Sequence, residues 1–447
     1  MTADDDDRLK RGAGPDRRQF IKLAAGAAGV AMLPGAGGEA RAEPFKSRAR
    51  FVITGAGAGG ISAASRLSQM TEGARITIID ARENHYFQPG YTLVGSGVWT
   101  QDRVISSNAE YMPRDVEWIK SAVAEFDPDG NKVVTAEGQN VPYDFLIVAT
   151  GCILDYPAIE GMEEGLIGRE GISSIYASPE AAAASWQAMQ RFVESGGTGL
   201  FTRPATEMKC AGAPLKYTFL TDDRLRRAGN RSKAELIYNA HNDETFSVPA
   251  VDSKVRELFA QRDISWNRSH VLRAIDPGQR IATFETPEGT TELGYDFIHV
   301  IPPMRTPEPV RNSPLPWREG PFAADGWIEV DKVTLQHRRY PNVFGVGDVN
   351  GVPKGKTAAS VKWQVPVAVE NMVAVAADKE MTATYNGYTS CPMVTRVGQA
   401  MLIEFDYENN LVPSFPFIDP LKPMWLSWVI EEQGLKPTYF AMLRGLA

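Results

Sequence analysis

Cysteine is scarce in this chain. Three stand among 447 residues, Cys152, Cys210 and Cys391, which excludes a disulfide scaffold, and none lie close enough for a C-x-x-C pair or a zinc-ligand pattern, so no metal site is expected. Basic charge is not in excess. The formal net charge is −8, and with no long basic run to offset it a nucleic-acid partner is excluded. A long apolar run is also missing: residues 23–33 are apolar but rich in Gly and Ala, and well short of the ~20 residues that span a bilayer. What is present is ordinary for a folded protein of two or three domains, with 43% hydrophobic and 23% charged residues.

That short apolar run follows Arg17-Arg18, Phe20 and Lys22 and precedes Ala40-Arg41-Ala42. Paired arginines, a small apolar segment and a small-x-small site read as a twin-arginine export signal over residues 1–42. The expectation is a periplasmic protein exported with its cofactor already loaded.

The chain is organised around residues 51–80, FVITGAGAGGISAASRLSQMTEGARITIID. Apolar run, glycine turn, helix former and second apolar run make a strand–turn–helix–strand unit. Gly55, Gly57 and Gly60 have the spacing G-x-G-x-x-G that brings a backbone turn and a helix N-terminus against a pyrophosphate. Asp80 ends the unit, placed to accept from a ribose hydroxyl. Further on, residues 143–151 (YDFLIVATG) read as a buried strand ending in a turn at Gly151 of the kind that returns over a flavin. Cys152 follows at once and reads as a small buried residue.

A second nucleotide unit has room at residues 196–240 but lacks its fingerprint. Gly197 and Gly199 are there, the third position is Thr202, and the strand AELIYNA ends without an acid. A nicotinamide site is therefore expected to be lost. In its place stands Cys210, between Lys209 and a glycine turn just ahead of a predicted helix. The residues read equally as a thiolate stabilised by the ammonium and the helix N-terminus or as a plain turn with a half-buried thiol. Cys391, beside Pro392, is a second thiol that can pair with it. The five histidines, His85, His241, His270, His299 and His337, read as structural.

Taken together, HYFQPGYTLVG (85–95), MKCAGAP (208–214), IPPM (301–304), LQHRRYPNVFGVGDV (335–349), GKTAASV (355–361), YTSCPMVT (388–395) and EFDY (404–407) resemble the sulfide:quinone oxidoreductases of the type that includes the mitochondrial enzymes. The resemblance implies an α/β, glutathione-reductase-like flavoprotein with two Rossmann-like dinucleotide-binding domains and a small amphipathic C-terminal region. The expected segments are 47–155 and 295–385 for FAD, 156–294 for the degenerate second domain, and 386–447 for the redox cysteine and the membrane or quinone contact. FAD is the implied cofactor. Besides the glycine loop, Asp80 and Gly151, its implied contacts are Gly347, Asp348 on the ribitol, and Lys356 and Thr357 at a helix start facing the flavin pyrimidine, where negative charge develops.

The resemblance also implies the chemistry. Hydrosulfide opens a bridge between Cys210 and Cys391, two electrons pass to FAD and on to a quinone, and the sulfane sulfur leaves to a second sulfide, a thiol or cyanide. By analogy Cys210 faces the flavin and Cys391 carries the outgoing sulfur. Trp425, Trp428, Tyr439 and Phe440, with Lys422, Lys436 and Arg444 nearby, suit a peripheral membrane contact; closing the core or a homo-oligomer contact is the plainer use. Two rival readings stand: the flavoprotein half of a flavocytochrome c sulfide dehydrogenase, which would pass electrons to haem, and a non-catalytic sulfane-sulfur carrier. A pyridine-nucleotide disulfide reductase is disfavoured, since the close C-x4-C pair and the second fingerprint are both absent.

Overall fold

The computed structural model describes residues 43–446; the export-signal reading of residues 1–42 lies outside them. The Arg50–Thr54 strand is central in a five-stranded parallel sheet. Its order runs Val343–Gly345, Phe145–Val148, Arg50–Thr54, Arg75–Ile79, Val116–Ile119. Strands such as FVIT and FLIV are nearly continuous apolar runs because helices cover a parallel sheet on both faces. The Ala58–Met70 helix makes the crossover to Arg75–Ile79 and packs against the long Ala358–Ala376 helix.

A second five-stranded parallel sheet runs Ile172–Ser173, Phe297–His299, Gly197–Thr202, Ala234–Asn239, Ile264–Asn267. The Phe297–His299 strand lies between two members of this sheet. The expected boundary at residue 294 therefore falls too early, because that strand supplies hydrogen bonds to both neighbours. Ser178 caps the Pro179–Ser195 helix through the Ala181 N–H at 3.1 Å, as its serine and helix formers suggest. Beyond the second sheet, Thr389–Ser390 pairs with Glu404–Phe405 and Met393–Arg396 pairs with Gln399–Met401, and Cys391 sits between these two ladders.

The C-terminal region departs from a purely surface-lying amphipathic segment. Trp428, Tyr439, Met442 and Leu443 are buried in the core formed with the first sheet, whereas Trp425 is 55% and Phe417 71% exposed. The Tyr439 hydroxyl meets His85 Nε2 at 2.7 Å and Phe440 stacks on Tyr111. The packed aromatics win because their area is worth more in contact with the sheet than in water. Among the described residues no helix is long and apolar enough to cross a membrane.

Two glycines of the first turn have opposite duties. A Cβ on Gly60 would lie 1.7 Å from the Gly55 carbonyl oxygen, while one on Gly57 would meet nothing within 4 Å. Gly60→Ala should accordingly destabilise the flavin-free protein by about 2 kcal/mol or more, and Gly57→Ala should leave it within about 0.5 kcal/mol. Urea unfolding of the two variants checks this; equal midpoints would contradict the packing argument.

Candidate active site

The glycine turn opens on the helix start at Ala58, where the free space at Gly57 lets a ligand approach the backbone. Asp80 closes the unit, but its carboxylate is not left open. Oδ2 accepts from the Ala56 N–H at 2.6 Å and from Arg82 Nη2 at 2.9 Å, and Oδ1 accepts from the Arg82 N–H at 2.8 Å and Nε at 3.2 Å. Four donors use all that a carboxylate offers. Asp80 thus braces the glycine loop, and a ribose hydroxyl would have to displace Arg82.

Asp348 is different. Its carboxylate makes no hydrogen bond among the described residues, and burial raises its pKa against the opposing charges of Lys209 and Lys356. Thr150 Oγ1, just before Gly151, is likewise buried without a partner. Gly151 and Gly347 both hold positive φ, 70° and 80°. An open glycine turn, an unpartnered acid and an orphaned hydroxyl fit a polyhydroxylated dinucleotide such as FAD.

Lys356 and Thr357 serve the frame. Lys356 Nζ donates at 2.7 Å to the carbonyls of Asp348 and Asn350, and its ammonium stands 3.5 Å from the centre of the Trp327 ring. Burial lowers its pKa to about 8 despite the nearby Asp348. Thr357 caps the Ala358–Ala376 helix through the Ser360 N–H at 3.1 Å and meets Thr389 Oγ1 at 2.8 Å. This hydroxyl contact joins the helix start to the strand that leads into Cys391.

Cys210 and Cys391, remote in sequence, are free thiols brought to one place: the turn two residues past Cys210 closes on the Cys391 sulfur, and each thiol shifts the pKa of the other. Cys210 adopts φ of 48°, a left-handed conformation that costs a side chain about 1–2 kcal/mol. Three hydrogen bonds hold it there: its N–H to the Lys356 carbonyl at 2.8 Å, and its carbonyl from the Ala213 N–H at 2.9 Å and the Tyr176 hydroxyl at 3.0 Å. Cys391 is 3% exposed, its N–H bound to the Ile403 carbonyl at 2.8 Å. A Cβ on Gly212 would fall 2.2 Å from Cys391 Sγ, so glycine in that turn is what lets the second sulfur in.

The two sulfurs share one proton unequally. Donation from the Cys391 thiol, helped by Lys216 and the Ala213 N–H, outweighs burial and pulls Cys210 down to about 6. The same hydrogen bond, together with burial, pushes Cys391 up. The cation beside Cys210 is therefore Lys216, on the Ala213–Arg227 helix, and not the adjacent Lys209. Lys209 Nζ turns away to Gln88 Oε1 at 2.9 Å.

Sequence reasoning missed Lys216 and its partner. The Lys216 ammonium lies 3.7 Å from Glu431 Oε1, both side chains 4% exposed or less. Burial opposes the ammonium, but Cys210 and then Glu431 overcome that and hold it protonated. A lysine inside the apolar run APLKYTFL, one helical turn past the cysteine motif, was the available signal. Nothing local marks Glu431.

Cys152 is half-buried and packs against the core of the second sheet, the use the sequence suggested; burial raises its pKa to about 11, with Lys209, Asp348 and Lys356 within electrostatic reach. His85, His299 and His337 are buried in the frame.

Two parallel sheets, a glycine turn built for a dinucleotide and a cysteine pair define a flavoprotein disulfide oxidoreductase fold. The pyridine nucleotide-disulphide oxidoreductase family model matches residues 49–195. The chain is 36% identical to the mitochondrial sulfide:quinone oxidoreductase of Mus musculus, over 90% of this chain and 87% of that protein. With its counterpart in Dictyostelium discoideum it shares 34% identity over 93% and 91%. The structure of the sulfide:quinone oxidoreductase from Aquifex aeolicus superposes with a TM-score of 0.74 at 22% identity, covering 89% of this chain and 92% of that one. The chain belongs to the sulfide:quinone oxidoreductase family.

Removing the buried cation should move the titration of Cys210. A thiolate alkylates and a thiol does not, so iodoacetamide labelling of reduced protein should rise through pH ~6. Lys216→Met combined with Glu431→Gln, which avoids a stranded buried carboxylate, should shift that rise upward by about one pH unit or more. Mass spectrometry of the Cys210 peptide against pH reads it; an unchanged midpoint would leave Lys216 a purely structural role.

Proposed function

We propose that this protein oxidises sulfide to sulfane sulfur at Cys210 and Cys391 and delivers the two electrons, through FAD, to a quinone. The observation that carries the reading is that two free thiols remote in sequence meet at the Gly212 turn beside a buried ammonium, a setting that holds one thiol low and the other high in pKa. Bound along Gly55, Gly57, Gly60, Gly151, Gly347 and Asp348, FAD would supply the two-electron acceptor between sulfur and quinone.

The chain's own part follows from which sulfur leaves more easily. In a bridge between the two cysteines, hydrosulfide attacks the Cys391 sulfur, a new S–S bond forms, and Cys210 departs as thiolate. One negative charge enters and one remains. The lower pKa makes Cys210 the better leaving group, and Lys216 stabilises the charge where it appears. Cys391 is left carrying the persulfide, whose outer sulfur passes to a second sulfide, a thiol or cyanide. This supports the division of labour in which Cys210 serves electrons and Cys391 serves sulfur.

Trp425 and Phe417, both exposed, support a peripheral membrane contact that admits a quinone. Export to the periplasm rests on the Arg17-Arg18 segment; the Mus musculus and Dictyostelium discoideum relatives are mitochondrial.

Anaerobic visible spectra test the reading. Sulfide should bleach the flavin band and a short-chain quinone should restore it. Cys210→Ser and Cys391→Ser should each retain the flavin and lose the bleaching, by about 100-fold or more in rate. Wild-type turnover in either variant would overturn the mechanism, and recovery with cytochrome c but not quinone would move the acceptor to haem.

A further inference from the structure

The helix that starts behind Cys210 and the hairpin that starts behind Cys391 are fastened to each other far from the sulfurs. The Ala213–Arg227 helix begins three residues past one cysteine. The Met393–Arg396 strand, paired antiparallel with Gln399–Met401, begins two residues past the other. Near the end of the helix Asp223 Oδ2 accepts from the Val397 N–H at 3.0 Å and from Arg227 Nε at 2.8 Å, while Arg227 Nη2 donates to the Val397 carbonyl at 3.0 Å. Two side chains one helical turn apart thus satisfy both backbone groups of a residue in the hairpin turn, as a neighbouring strand would.

A second fastening lies beside the first. The fully buried Asp222 carboxylate accepts from Arg226, Arg231 and Arg262. Arg262 Nη1, 3.3 Å from that carboxylate, also donates to the Thr395 carbonyl of the hairpin at 2.7 Å. Arg226 and Arg231 in turn each hold the Arg262 carbonyl at 3.0 Å. The one arginine that reaches the hairpin is therefore fixed at its side chain and at its backbone. Three guanidiniums on one carboxylate exceed what neutralising it requires, and the surplus goes into aiming Arg262.

The cysteine pair needs such a brace. Cys391 gives its own N–H to the Ile403 carbonyl, within the same C-terminal segment, which does nothing to set its place along the helix. The Thr357–Thr389 hydroxyl contact pins the strand before Cys391, and the two fastenings pin the strand after it. The tolerance is small. Bridged cysteines keep their Cα atoms within a window about 2.4 Å wide, and a strand that slips by one residue moves about 3.3 Å. Asp223 stands ten residues past the helix start, about 15 Å along it, so the brace acts through the frame and touches neither sulfur.

We propose that Asp222, Asp223, Arg227 and Arg262 are positioning residues for the cysteine pair: they lock hairpin to helix in the register that sets Cys391 Sγ against the Gly212 turn, within bridging reach of Cys210. The inference rests on the function proposed above for its use in turnover, whereas the bridge can be measured without sulfide.

Holoenzyme equilibrated without air in mixtures of reduced and oxidised dithiothreitol, then alkylated, reports the bridged fraction of the Cys210 and Cys391 peptides by mass spectrometry. Two thiols give two electrons and two protons to the oxidised reagent as their S–S bond forms. Arg227→Met and Arg262→Met should each lower the equilibrium constant for the bridge about 10-fold, a rise of about 30 mV in its midpoint potential. Neither strands a carboxylate, since Asp223 keeps the Val397 N–H and Asp222 keeps two cations. Arg231→Met is the control, because Arg231 holds the same carboxylate as Arg262 without donating to the hairpin. It should lower the urea midpoint and leave the bridge constant within about 2-fold. An unmoved bridge in both of the other variants, or an equal shift in all three, would overturn the proposal. A shifted bridge in a protein that oxidises no sulfide keeps the brace and removes its use in turnover; active enzyme with an unshifted bridge keeps the oxidation and removes the brace.

Discussion

One buried cation sets the terms for the site. The Lys216 ammonium, 3% exposed, is tolerable only with anions around it, since an unpaired buried charge costs several kcal/mol. Glu431 provides one at 3.7 Å, and the Cys210 sulfur provides the other when it is a thiolate. The arrangement suits a group that alternates between two states. When Cys210 is bridged or protonated, the ammonium and Glu431 form a neutral pair; when Cys210 becomes a thiolate, a single extra negative charge appears beside a cation already in place. The cation does not have to be recruited at the moment of reaction, which is the condition under which electrostatic stabilisation is most effective.

That constraint explains why the C-terminal segment is docked. Glu431 can reach Lys216 only if the residues around it are fixed, and they are. Glu432 accepts from Trp99 Nε1 at 2.8 Å and from Arg103 Nη1 at 3.2 Å. Further on, Tyr439 holds His85, and the Ser65 hydroxyl donates to the Leu443 carbonyl at 2.6 Å. A segment whose composition suggests a lipid surface thus buries Trp428 and Tyr439 as core elements, while Phe417, Trp425 and Leu446 stay exposed.

The sequence made the local units legible and left the long-range charges hidden. The strand, glycine turn and helix of residues 51–80 are written in consecutive residues, so periodicity and spacing suffice. The degenerate second unit is also legible, because Thr202 in place of a glycine is a visible change. Cys210 and Cys391 could be singled out as thiols able to pair, and the role of each in the pair came only through the family resemblance. Lys209 looked like the natural partner of Cys210 because it is adjacent, yet neighbours along an irregular loop point in different directions, while a residue one turn into the following helix points back over its start. The same limit applies to Asp80. Spacing identified the acid, but Arg82, two residues on, occupies its oxygens.

The two sheets carry different signs at the same kind of edge, and this bears on how the proposed chemistry divides. At the first sheet the carboxyl edge presents free backbone at Gly57 and an unpartnered acid at Asp348, features suited to a hydroxyl-rich dinucleotide. At the second it presents the Arg203 guanidinium, the His241 imidazole and the Tyr238 phenol with open valences. Cys210 is tied through its N–H to the Lys356 carbonyl, and Cys391 Sγ and the Phe246 ring, from the loop that follows His241, both stand against the Gly212 turn. The second sheet keeps Gly197 and Gly199 but has Thr202 where a third nucleotide-binding glycine would stand, so what its edge presents is a set of side-chain polar groups and not the open backbone that Gly57 offers at the first.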